Sequence, residues 1–230
     1  MEKITFGDNL PGYVCGPKGA PGLLVLQEWW GITPEIQEHA KVYSEICGFR
    51  CLVPDLYKGK IGVDKEEASH LMSKLDWVQA FGEMKQAAEY LRSEGSAKVG
   101  AVGFCMGGAL SLCAAQHSGI DAAVPFYGCP GEEACDPSKL TVPVQGHFGA
   151  DDPMKGFSDV DTAKALDAKL KASPGKGEVF IYEGESHAFM NRTDEENTKK
   201  REMMGFTTPK PENQKLARER SAEFLKKALA

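Results

Sequence analysis

The chain has 230 residues and a formal charge of 27 − 33 = −6. A body of its mass, 25.0 kDa, buries about 70% of the surface its extended chain exposes, roughly 26,000 Å², so a core forms without disulfides or metals. With 42% hydrophobic and 26% charged residues a disordered or collagen-like chain is excluded, the acidic balance lacks a nucleic-acid footprint, and no run approaches the roughly 20 apolar residues of a membrane span.

Apolar and amphipathic runs alternate along the chain. Leu23–Leu26 is a short apolar run after Pro21-Gly22, and Pro34 to Cys47 has helical period. Cys51–Val53 is the next strand, closed by Pro54-Asp55, followed by helices over Asp64–Leu75 and Val78–Arg92. The remaining strands are Val99–Val102, Ala122–Val124, Val142–Phe148 and Val179–Tyr182, with helices at Met106–His117, Phe157–Lys171 and Gln214–Leu229. Short, nearly continuous apolar runs suit strands buried on both faces of a parallel sheet. Their alternation with helices predicts right-handed βαβ units in a doubly wound α/β fold, one domain spanning 1–230. Asn191–Pro211 breaks the series as a charged, irregular stretch, a lid or a mobile insertion. Within it Lys199 to Arg201, interleaved with Glu195, Glu196 and Glu202, reads as solvated surface.

The sharpest motif is Gly103-Phe-Cys105-Met-Gly107-Gly108. Strand, tight turn and helix are the context of the G-x-S-x-G nucleophile elbow, here with Cys in place of Ser. The residues two before and two after the nucleophile must be small so that strand and helix pass closely. The helix N-terminus then offers N–H groups to a developing oxyanion. A Rossmann loop would need glycine where Cys105 stands, and the Walker lysine is missing. A buried structural cysteine is the competing reading.

At pH 7 only about 3% of an ordinary thiol is ionised, so a base and an orienting acid are needed. His187, in Gly184-Glu-Ser-His187-Ala-Phe past a strand, is the best base; Asp151 and Asp152 follow another strand in Gly149-Ala-Asp-Asp152-Pro. The order Cys105, Asp, His187 is that of α/β-hydrolases, and all lie past the carboxyl ends of strands, where open α/β sheets place their sites. His39, His70 and His117 read as helix-face residues, and His147 as packing. Cys47 and Cys51 flank a turn without a second pair, so no zinc site is expected. In Gln27-Glu28-Trp29-Trp30-Gly31 a carboxylate points at the same sheet edge, two tryptophans can wall a pocket, and the backbone after that strand is where such folds find a second oxyanion donor.

Together, Leu-Gln-Glu28-Trp-Trp-Gly, Val53-Pro-Asp55-Leu-Tyr, the Cys105 elbow, Gly149-Ala-Asp-Asp152 and Ser186-His187-Ala-Phe resemble the dienelactone hydrolase (carboxymethylenebutenolidase) family, from about Pro21 to Phe189 and again in the last helix. The resemblance implies an α/β-hydrolase fold and cleavage of a small ester, lactone or thioester. Cys105 would be nucleophile, His187 base and Asp152 orienting acid, with Glu28 holding the resting thiol. The N–H groups of Met106 and Trp29 would form the oxyanion hole. Where the family places substrate-gripping arginines this chain has Lys65, and Asn191 followed by Arg192; these cations and Trp30 are the substrate-binding expectations.

No metal or organic cofactor, nucleic acid or membrane partner is expected, and the chain would act as monomer or homodimer. Seven scattered cysteines without a secretory leader predict reduced thiols and a cytoplasmic location. The alternatives are a broad carboxylesterase, or a non-catalytic scaffold that binds a small ligand between Trp29 and Trp30 or senses redox state through Cys105.

Overall fold

A computed structural model describes all residues, 1–230. One eight-stranded sheet organises them. Its strands are β1 (Glu2–Phe6), β2 (Leu10–Cys15), β3 (Gly22–Leu26), β4 (Arg50–Pro54), β5 (Val99–Phe104), β6 (Ala122–Phe126), β7 (Val144–Gly149) and β8 (Gly177–Tyr182). They lie in the order β1-β2-β4-β3-β5-β6-β7-β8. β2 pairs antiparallel with both β1 and β4, and every other neighbour is parallel.

Seven helices complete the chain: α1 (Pro34–Cys47), α2 (Lys65–Ser73), α3 (Trp77–Ser93), α4 (Met106–His117), α5 (Val160–Ala172), α6 (Glu195–Met204) and α7 (Pro211–Leu229). The central strands alternate between two cores. Leu24, Leu26, Leu52 and Ala101 pack with α3, α4 and α5. Leu23, Val25, Val53 and Val102 face the other way, toward Ile36 and Tyr43 of α1 and Leu225 of α7. Strands buried on both faces are why their sequences read as continuous apolar runs.

Two departures from the sequence reading matter. The β1–β2 hairpin was not among the predicted strands: it stands at the sheet edge, with half-exposed residues between the buried Leu10, Gly12 and Val14, so it lacks an apolar run. The stretch from Asn191 to Pro211 is not irregular throughout, because α6 occupies half of it. Asp194 caps α6 by accepting from the Asn197 N–H at 2.9 Å, and Gly205 ends it in the left-handed conformation. Its exposed face is stapled by Glu195–Lys199 and Glu196–Lys200, four residues apart.

Candidate active site

The elbow puts Cys105 between β5 and α4 with φ +56° and ψ −118°, a conformation that L-residues rarely adopt. The turn is held by the Cys105 N–H donating to the Phe126 carbonyl at 3.1 Å. A side chain at position 103 would collide with the Gly107 carbonyl, and one at 107 with that of Leu26; hence the flanking glycines. Met106 is the first residue of α4, so its N–H is among those that no helix carbonyl claims. Trp29 lies in the turn just past β3.

His187 arrives from the loop after β8 and is buried. Its Nδ1 stands 2.7 Å from Asp152 Oδ2 and 3.1 Å from Ser158 Oγ. Asp152 is itself buried and accepts the Met154 N–H on its other oxygen at 3.0 Å, whereas Asp151 is exposed. Tyr127, Phe157 and Phe206 enclose the imidazole. Its Nε2 is buried without a hydrogen-bond partner. Burial opposes a charge on this ring, but its electrostatic interaction with the neighbouring Cys105 and the Asp152 hydrogen bond prevail and raise its pKa to about 10.

These groups open onto one cavity of about 210 Å³, whose walls include Glu28, Trp29, Trp30, Cys105, His187 and Arg192. Trp29 and Trp30 meet edge to face, 5.0 Å between ring centroids. Met72, Met154, Phe157, Met204 and Phe206 supply much of the apolar lining.

The remaining expected residues fall differently. Both Glu28 oxygens accept from Asn191 Nδ2, at 3.1 and 3.2 Å, and no hydrogen bond joins them to the thiol. Burial raises the Glu28 carboxyl above the ordinary range. Lys65 is exposed on the first turn of α2 and outside the cavity wall; Met72, two turns on, reaches it instead. Arg192 lines the cavity, but its Nε is committed to Glu35 Oε2 at 2.9 Å and Asp194 lies 3.6 Å from its Nη2. His39 is buried rather than on a helix surface, stacked on Phe104 at 4.0 Å.

Arg201 is the residue the sequence reading missed. Taken there as solvated surface, it is buried, and its Nη1 and Nη2 donate to the carbonyls of Ala188 and Asn191 at 2.9 and 2.8 Å. Those carbonyls belong to the loop that carries His187. Its Nε lacks a partner, and no carboxylate forms an ion pair with it. No sequence signal marks it, since its partners are distant from any periodic pattern. Lys200 beside it sits 5.0 Å over the Trp30 ring.

The sequence model described as the Dienelactone hydrolase family matches residues 10–229. Among curated relatives, Protein usf of Aquifex pyrophilus is 32% identical over 209 residues, covering 83% of this chain and 86% of its own length. The carboxymethylenebutenolidase of Pseudomonas putida is 27% identical over 197 residues, covering 80% of each chain. A solved dienelactone hydrolase-like promiscuous phosphotriesterase from metagenomic libraries aligns with a TM-score of 0.76 at 19% identity, over 99% of this chain and 97% of its own, a likeness of fold.

Proposed function

Because the chain belongs to the dienelactone hydrolase family and is on that ground a hydrolase of ester or lactone bonds with the α/β-hydrolase fold, we propose that it works through a Cys105–His187–Asp152 triad and an acyl-thioester intermediate. The observation that carries this reading is the wiring of His187: Nδ1 on Asp152 at 2.7 Å, and Nε2 buried and unpartnered beside the strained elbow.

Cys105 passes its thiol proton to His187 Nε2, its sulfur attacks the substrate carbonyl carbon, and the carbonyl electron pair moves onto oxygen. The N–H groups of Met106 and Trp29 receive that oxyanion. Collapse breaks the bond to the leaving oxygen, which takes the proton from His187 Nε2; a lactone opens but stays attached as the thioester. His187, neutral again, removes a proton from water, whose attack on the thioester releases the acid and restores the thiolate. Asp152 fixes the tautomer and stabilises the imidazolium. Glu28, lining the same cavity and held by Asn191, takes part in activating the thiol when substrate arrives.

A cavity of about 210 Å³ with aromatic and methionine walls suits a small ester or lactone. Residues 1–230 act as one domain in which α6 roofs the cleft, through Asn197, Lys200, Arg201 and Met204. No helix is long and apolar enough to cross a membrane. The test is alkylation with iodoacetamide at neutral pH during turnover of p-nitrophenyl acetate. Cys105 should be labelled in step with loss of turnover, whereas labelling of Cys113 or Cys129 with activity retained would overturn the assignment. A lactone panel then ranks substrates.

A further inference from the structure

Three thiols gather at the edge of the sheet opposite Cys105. Cys15 ends the antiparallel strand β2, Cys51 stands second in β4, and Cys47 ends α1, so all three lie near the amino ends of the parallel strands. Cys15 and Cys51 are direct partners across the β2–β4 ladder. Residues opposite one another in such a ladder project to the same face with Cα atoms about 4.5–5.5 Å apart. A disulfide bridges about 4.4–6.8 Å.

The two differ in access. Cys51 is fully buried in the core beneath α1, whereas Cys15 is half-buried at the margin of that core. Their chemistry differs in the same sense. The Cys51 hydrogen bond leads the effects that bring the Cys15 thiol down to about 7, against burial and with help from Ser44 and Arg50. Burial pushes Cys51 well up, and Cys47 to about 11. The arrangement pairs one accessible nucleophilic sulfur with a protonated neighbour in reach, the combination that peroxide-sensing thiols need. The three thiols do not form a metal-holding set.

We propose that Cys15 and Cys51 are a peroxide-reactive dithiol that closes to a cross-strand disulfide, a modification site separate from the hydrolytic centre. The Cys15 thiolate attacks the O–O bond of a hydroperoxide, which gives the sulfenic acid and, with a proton, one molecule of water or alcohol. The Cys51 sulfur then attacks the sulfenic sulfur, the S–S bond forms and a second water leaves. Two thiols lose two electrons and the peroxide gains them. The product joins β2 to β4 covalently.

The experiment treats the full chain, reduced, with hydrogen peroxide, removes the peroxide, blocks remaining thiols with N-ethylmaleimide in denaturant and digests with trypsin without reductant. The sequence separates the three thiols into peptides 4–18, 42–50 and 51–58. Most of peptide 4–18 should be recovered joined to 51–58. Recovery of 4–18 maleimide-blocked, oxidised to sulfinic acid or joined to 42–50 would overturn the proposal. Cys15→Ser, a change at a half-buried margin far from the cleft, should keep wild-type ester turnover and leave Cys51 blocked by maleimide after peroxide. Peroxide oxidation of Cys51 in that variant would equally overturn it. Neither readout depends on the hydrolytic assignment of Cys105.

Discussion

At the scale of single residues, Asp151 and Asp152 pose the sharpest choice. They are adjacent in one loop, and composition or spacing alone does not separate them; the resemblance to a known pattern picks the second. Burial supplies the physical distinction, because Asp152 is enclosed and bonded to both His187 and the Met154 N–H, while Asp151 meets solvent. Asp152→Asn should lower kcat by roughly 10²–10⁴-fold through loss of the correct imidazole tautomer. Asp151→Asn should stay within about twofold of wild type, the small effect usual for an exposed site. Steady-state ester hydrolysis by both variants checks this, and the reverse ranking would contradict it. That Cys105, one of the two aspartates and His187 lie at one edge of the sheet was legible because each sits at a strand end with its own turn signal. The Asn191–Glu28 bond was not: its partners lie 163 positions apart, and the motif around Glu28 does not name the residue it bonds to.

Among the elements, helices α1 and α4 coincide with their predicted bounds residue for residue, because Pro34 and the elbow set their starts. α6 escaped because its stability comes from caps and charge pairs rather than an apolar stripe, and periodicity detects only the stripe. Yet Asp194, Gly205 and the two Glu–Lys pairs were readable as capping and charge signals. What no local signal gives is that α6 folds back onto the loop of His187. That docking rests on Arg201, and on the returning chain, where Thr207 donates its N–H to Ser186 Oγ at 2.8 Å and Gln214 its amide to Phe189 O at 2.8 Å. Arg201→Gln removes two charge-assisted bonds to that loop, each worth about 1.5–3 kcal/mol. The variant should fold, keep its circular dichroism and lose at least roughly tenfold in kcat/KM, since about 1.4 kcal/mol of misplaced geometry suffices for that. Wild-type turnover in Arg201→Gln would reduce α6 to a passive cover.

For the molecule as a whole, the buried histidines set an acid limit. His39 and His147 are enclosed, and burial lowers each to about 3. The unfolded chain takes up those protons near pH 6.5 whereas the native chain refuses them, so stability falls as the pH drops from 6.5 toward 3. Between pH 7 and 5 each site removes about 2 kcal/mol at most. His147 is held by Tyr182 OH at 2.8 Å and Gln145 Oε1 at 3.1 Å. His147→Gln should lower stability at pH 7 but flatten the decline, so that urea midpoints of variant and wild type converge at pH 5. A decline as steep as that of wild type would show that His147 is not a source of it.

The proposed mechanism requires that an acyl group rests on Cys105 during turnover. Intact-mass spectrometry of the chain, acid-quenched within the first turnover of p-nitrophenyl acetate, tests it most directly. One acetyl group per chain should appear, mapped by fragmentation to Cys105, together with a burst of nitrophenolate close to one equivalent, and Cys105→Ala should show neither. Turnover that persists in Cys105→Ala, or an acetyl group carried elsewhere in a chain that still turns over, would contradict the account.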